Sequence, residues 1–175
     1  MKKRIALLLA LALCLSSLAG LTAVAEGETE TTPEVEYCTV PMTAEVCIYF
    51  AVKSDDQDAA DGIKTAIQLS VWKGADVAEE NASVYTLKPS SYTKMGDEIY
   101  LVYCFDKLSA AEMDTVVNAK VVGGETIVSY SVAQWANDYI TANEGNDEYA
   151  SYVTLVNKML NYGKMAKAYA DASAA

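Results

Sequence analysis

The chain contains no histidine in its 175 residues, and its single arginine, Arg4, lies at the very start. The first absence excludes Ser-His-Asp and Cys-His nucleophile systems, which need an imidazole to take the proton. It also excludes zinc sites built on Cys/His spacing. The second leaves no guanidinium beyond residue 4 for bidentate contacts to phosphate or guanine. No glycine-rich phosphate loop is present. After residue 25 no stretch is long or apolar enough to span a membrane as a helix, which takes roughly 20 apolar residues.

What is present begins with Lys2, Lys3 and Arg4, followed by the uncharged run Ile5 to Leu15, then Ser16-Ser17 and the small-x-small triplet Ala23-Val24-Ala25. This order is that of a cleavable export signal over residues 1–25, so the mature protein is expected to start at Glu26 outside the cytoplasm. A retained anchor would need about twice the apolar length, and Leu13 stands where lipid attachment at Cys14 would want a small residue. Beyond Ala25 there remain 10 lysines against 24 acidic residues, a net charge of −14. Such a surface repels polyanions, so no nucleic-acid partner is expected. It equally opposes anionic lipid headgroups. The expectation is a soluble extracellular protein, held at the cell surface, if at all, non-covalently by a partner, since no sorting pattern follows Tyr169.

About 150 mature residues suffice for one domain that buries roughly 68 to 70% of its unfolded surface. The mature cysteines are Cys38, Cys47 and Cys104, an odd number, so at most one pair forms within a monomer. Cys38 with Cys47 across a hairpin near Met42-Thr43, and Cys47 with Cys104 on neighbouring strands, are equally open. With no histidine or nearby arginine to lower a thiol pKa, a nucleophilic cysteine is not expected.

Residues 26–35 read as a flexible acidic leader. From Ala44 the chain alternates, with Val46, Ile48, Phe50 and Val52 on one face and Glu45, Cys47, Tyr49 and Ala51 on the other. A second alternating run has Ile63, Thr65, Ile67, Leu69 and Val71 inward and Lys64, Ala66, Gln68, Ser70 and Trp72 outward, as in a half-solvated sheet. A short strand is expected at Ser83 to Lys88, and Glu98 to Phe105, apolar on both faces, reads as a central strand. Met113 to Val122 and Glu125 to Tyr130 flank Gly123-Gly124, which suits a two-residue hairpin link with both glycines at positive φ. Leu108 to Glu112 is a brief helical turn that fits a crossing between two sheets. These signals predict a mainly β fold, an immunoglobulin-like antiparallel β-sandwich over residues 36–130. Two C-terminal helices over 131–172 pack on it, and 173–175 form a tail.

The helical signals are specific. Ser131 and Gln134 suit a capping box, with Tyr130 and Trp135 at the staple positions. Val132, Trp135, Ala136, Tyr139 and Ile140 give one apolar face, ended by Asn143-Glu144-Gly145. A second helix is predicted from about Asp147 to Tyr169, with Asp147 and Glu148 in its first turn and Lys164 and Lys167 near its end. Its expected buried stripe is Tyr152, Val156, Met159, Leu160, Gly163, Ala166 and Ala170. Gly163 costs about 1 kcal/mol against alanine, so it should permit close contact with a neighbour such as the Trp135 face.

Three segments carry a resemblance: LSAAEMDTVVNAKV at Leu108 to Val121, SYSVAQWANDYI at Ser129 to Ile140, and LVNKMLNYGKMAKAY at Leu155 to Tyr169. Together they resemble a C-terminal module of secreted and cell-surface proteins of anaerobic Gram-positive bacteria. In order they look like its Ala-Lys-Glu-Met crossover and following strand, its Tyr-Ser-Val helix start and its terminal Leu-x-Asn-Tyr-Gly-x-x-Ala helix. Ala111 stands where the module usually has lysine, and Met165-Ala166-Lys167 departs from its usual Ala-Gln. The resemblance implies an extracellular accessory role and no established activity.

Three chemical readings remain. No spacing picks out a carboxylate pair of the glycosidase kind, so no enzyme and no cofactor are expected. The loop from Ser54 to Gly62 holds Asp55, Asp56, Asp58 and Asp61, but Ala60 falls where a calcium loop wants an oxygen ligand, which favours a solvated loop over a metal site. Trp72, on the polar face of its strand, and Tyr49, on the outward face of another, are the candidate binding residues for a sugar-stacking platform, but Trp72 closing the end of the sandwich or packing under the C-terminal helices is the favoured reading. Tyr130, Trp135, Tyr139, Tyr152 and Tyr162 read as packing residues. The function expected is a non-catalytic binding module that acts through protein contacts or as a structural element, with carbohydrate binding as the alternative.

Overall fold

The structure is a computed structural model that describes residues 33–43, 45–54 and 67–174. The export signal, most of the leader and the acidic loop lie outside the described residues. Among the described residues eight strands form two antiparallel sheets. The first, in the order β1-β2-β6-β5, contains β1 (Val35–Thr39), β2 (Ile48–Ser54), β5 (Ser91–Met95) and β6 (Glu98–Phe105). The second, in the order β4-β3-β7-β8, contains β3 (Leu69–Lys73), β4 (Tyr85–Leu87), β7 (Val117–Val121) and β8 (Val128–Tyr130). Two helices follow, α1 (Val132–Asn143) and α2 (Ala150–Ala174).

Alternation decides the first sheet. Ile48, Phe50 and Val52 of β2 are fully buried, and β6 answers them in register with Phe105, Tyr103 and Leu101. With a side-chain period of two, a slip of one residue would turn this apolar set to the other face of the sheet. β6 is central, flanked by β2 and β5, as its two apolar faces predict. From the second sheet Leu69, Val71, Val117 and Ala119 join the same core. Two contacts tie the sheets: the Tyr103 hydroxyl donates to the Ile67 carbonyl at 3.2 Å, and Tyr85 meets Phe105 edge to face with centroids 5.4 Å apart.

Several expectations change. β5 carries no apolar signature, because all but Met95 of its residues are exposed at the sheet edge. Its hairpin to β6 is nonetheless tight, since Met95 pairs with Glu98 across Gly96-Asp97, and Gly96 takes φ 65°. The β7–β8 pairing has the register that a Gly123-Gly124 link dictates, but it is made only from Val117↔Tyr130 to Ala119↔Val128. Only Gly123 has positive φ, and the turn closes with the Gly124 N–H donating to the Val121 carbonyl at 2.8 Å. The outward residues of β3 are not solvated: Ser70 and Trp72 are buried along with Leu69 and Val71. The chain after β3, through a single turn at Glu79–Asn81, folds back across that face.

The crossing from β6 to β7 is the predicted helical turn, at Ala110–Glu112, capped reciprocally by Ser109 and Glu112. Lys73 reaches Glu112 at 2.7 Å, and this bond, with the Ser109 N–H next, holds the Glu112 carboxyl down at about 2. The crossing seats both helices. The Ala133 N–H donates to the Met113 carbonyl at 2.8 Å, and Lys167 of α2 pairs with Asp114 at 2.7 Å. Ser131 Oγ caps α1 by accepting from the Gln134 N–H at 3.0 Å. Val132, Trp135 and Ala136 are buried as the periodicity predicts, and Tyr139 stacks on Trp135 at 5.5 Å.

Helix α2 begins three residues later than predicted and runs on to Ala174, so Asp147 and Glu148 lie in the preceding turn rather than in the helix. Val156 and Gly163 are buried, with Met159 and Leu160 partly so. Tyr152 and Ala170, expected in the stripe, are exposed. Gly163 meets the crossing rather than Trp135: a Cβ there would stand 2.6 Å from Met113 Sδ and 3.2 Å from the Ala110 carbonyl oxygen.

Candidate functional site

Trp72 lies on the outer face of the second sheet, opposite Asn118, as its place in the alternation requires. It is not a platform, because only 2% of it is exposed. The segment after β3 covers it, and the covering is fully bonded. The indole N–H donates to the Val77 carbonyl at 2.8 Å, Asn118 Nδ2 donates to the Gly74 carbonyl at 2.7 Å, and Glu79 pairs with Lys120. Ser129 Oγ donates to Asn118 Oδ1 at 2.7 Å, which fixes the amide's orientation. Gly74 sits at φ 112°, and a Cβ there would meet Val77 Cγ2 at 2.5 Å, so this tight fold-back requires glycine. Tyr49 is half-buried on the first sheet, in register with Cys104. The two candidate binding residues therefore sit on different sheets and share no surface along one sheet face.

The outer face of the first sheet holds a denser polar constellation that the sequence reading did not single out. The register places Tyr100 opposite Lys53 and Tyr37 opposite Ala51. Tyr37 meets Tyr100 edge to face at 5.1 Å. The Tyr100 hydroxyl lies 2.6 Å from Glu98 Oε2 and 3.1 Å from Glu36 Oε2, and Lys53 Nζ bonds Glu98 Oε1 at 2.7 Å. Burial, then the neighbouring carboxylates, pushes the Tyr100 phenol well above its ordinary range. The Lys53 bond, then the Tyr100 bond, lowers the Glu98 carboxyl. A phenol that keeps its proton and a carboxylate that stays ionised are not poised to exchange a proton near neutrality. The network's chemistry is that of a clamp across β1, β2 and β6.

The fold also discriminates between the two cysteine pairings. Cys38 pairs with Phe50 and packs against the core on the inner face. Cys47 and Cys104 lie near each other on the outer side, close enough for each thiol to influence the ionisation of the other, since Cys104 is in register with Tyr49. All three thiols are free. Burial pushes Cys104 up to about 11 and Cys38 to about 12, so both are protonated at neutral pH. Treatment with oxidised glutathione should therefore join Cys47 to Cys104 and leave Cys38 reduced, as peptide mapping will show. Because the thiolate is the attacking species and burial raises the pKa of both Cys47 and Cys104, the reaction should be slow at neutral pH and speed up as the pH is raised. A map that joins Cys38 to Cys47 would contradict the register.

The remaining surface feature is apolar. Leu155, Tyr162, Met165 and Tyr169 of α2 are 53, 62, 73 and 76% exposed, with Tyr152 beside them at 51%. Tyr152 and Tyr162 are thus surface residues, not packing residues. Helix α2 carries apolar side chains around most of its circumference, so periodicity alone does not say which stripe turns inward. The close approach at Gly163 decides it, and the stripe about 100° round the helix faces water. Among the described residues no group of His, Cys, Asp or Glu has metal-binding geometry, and no helix is long and apolar enough to cross a membrane. Compared with protein-family models, curated proteins and solved structures, the chain matches none.

Proposed function

We propose that this chain is an exported, non-catalytic accessory module that works through protein contacts at or outside the cell surface. On this reading its two sheets form an immunoglobulin-like sandwich, and the resemblance to the C-terminal module of Gram-positive anaerobes supplies the extracellular setting. The observation that carries the reading is the apolar stripe on α2. Four large side chains at these exposures present on the order of 500 Å² of surface, at the upper end of what a monomer shows without a binding role. The carbohydrate alternative loses its main support, since Trp72 is covered by its own chain.

Affinity electrophoresis in gels cast with bacterial and plant polysaccharides, with a glycoside and ester hydrolase screen alongside, tests the reading. The wild-type protein should migrate unretarded and turn over nothing. Retardation that disappears in Tyr49→Ala, or turnover of any substrate, would replace protein contact by sugar recognition or catalysis.

A further inference from the structure

The exposed stripe of α2 has a regular internal order. Leu155, Tyr162 and Tyr169 recur every seven residues, and Lys158, Met165 and Ala172 follow them at three. All six are exposed. This is the a/d spacing of a two-helix seam, and from 155 to 172 it runs for about 25 Å. We propose that the stripe is the interface of a homodimer in which α2 of one copy packs antiparallel against α2 of a second copy. This rests on the protein-contact reading above and names the partner.

Three observations select that occupant. The first is area. Covering the stripe on both copies removes roughly 1,000 to 1,200 Å² from water, the lower bound for a specific interface. An interface of that size belongs to the weak, transient class.

The second is self-complementarity. Antiparallel packing centred between Tyr162 and Met165 stacks Tyr162 on Met165 of the other copy and Leu155 on its Ala172, large against small. Lys158 then lies under Tyr169 of the other copy, its stem on the ring and its ammonium free to meet the ring face. A parallel pair in register would instead set Lys158 against Lys158, a like-charge layer with no compensating group in the seam.

The third is local charge. The mature chain is strongly acidic, yet α2 holds Lys158, Lys164 and Lys167 against Asp171 alone. With Lys167 paired to Asp114 of its own chain, each α2 brings only a small positive charge to the seam in place of the acidic excess elsewhere, and both repulsions are screened beyond about 8 Å at physiological salt.

Sedimentation equilibrium of the mature protein from Glu26, between 5 and 500 µM in 0.15 M NaCl, tests this. The wild type should follow a monomer–dimer equilibrium. Tyr162→Glu with Met165→Glu should weaken it at least 100-fold with the circular dichroism unchanged, because both side chains are exposed. Tyr169→Ser should weaken it about tenfold, and Tyr92→Glu, on the far β5 edge, should leave it alone. A wild type that stays monomeric to 500 µM, or a dimer indifferent to the seam substitutions, overturns the proposal. Mixing wild type with Lys158→Glu reports orientation: a heterodimer tighter than both homodimers means parallel helices and also overturns it. A monomeric wild type leaves the protein-contact reading standing. That reading falls only to polysaccharide retention or turnover in the preceding tests.

Discussion

Trp72→Ala should cost about 3 to 5 kcal/mol of folding stability, read from urea denaturation followed through the fluorescence of Trp135. The indole is among the largest fully buried side chains, and it carries the fold-back of Gly74 to Asn81 against the outer face of the second sheet. Removing it leaves a cavity and frees the segment whose other anchors, Asn118 to Gly74 and Lys120 to Glu79, hold only its ends. Trp72→Phe keeps most of the ring and loses the bond to the Val77 carbonyl, which lies near the surface, so its cost should be about 1 to 2 kcal/mol. The pair of variants matters for function as well. Any ligand lost with Trp72→Ala would be lost through unfolding, whereas Trp72→Phe separates packing from recognition. A cost below 1 kcal/mol for the alanine variant would mean that the cover over Trp72 is not part of the stable fold.

Gly163→Leu should destabilise by about 3 kcal/mol, since even a Cβ at this position meets Met113 Sδ at 2.6 Å and a backbone oxygen at 3.2 Å. Gly163→Ala is the informative contrast. It gains about 1 kcal/mol of helix propensity, and the thioether of Met113 is flexible enough to move aside, so the net change should lie within about 1 kcal/mol of zero. Combining Gly163→Leu with Met113→Ala should recover part of the loss, giving a coupling energy of about 1 kcal/mol or more in a double-mutant cycle. Strict additivity would show that α2 does not rest on the crossing at this point. The same contact sets which stripe of α2 faces water, so these variants bear on the surface that carries the functional reading.

Much of the β architecture was legible because burial imposes a period of two. The run Ile48, Phe50, Val52 and the doubly apolar Glu98 to Phe105 named their strands and the central place of β6. The start of α1 was legible from Ser131 and the spacing of Val132, Trp135 and Ala136. Strand β5 was not, because an exposed edge strand buries nothing and so leaves no alternation; its one usable signal was Gly96-Asp97, a two-residue link of the kind that closes hairpins. Trp72 was placed on the correct face of its strand, and its packing was the favoured reading, but the cover was assigned to the sandwich end or the C-terminal helices rather than to the segment after β3. Alternation reports a side of the sheet and is silent about a loop that returns to cover it.

Composition by itself determined that these 175 residues offer no imidazole, and that any guanidinium contact they make has to come from Arg4. Local patterning determined most strands and both helices, since these depend on near neighbours in the chain. Three things required the tertiary structure: the burial of Trp72 under Val77, the choice of Cys104 over Cys38 as the neighbour of Cys47, and the outward turn of Leu155, Tyr162 and Tyr169. Each depends on segments that meet only after folding. A helix with apolar residues on more than one side has no inner face of its own until a partner surface, here the crossing beneath Gly163, selects one.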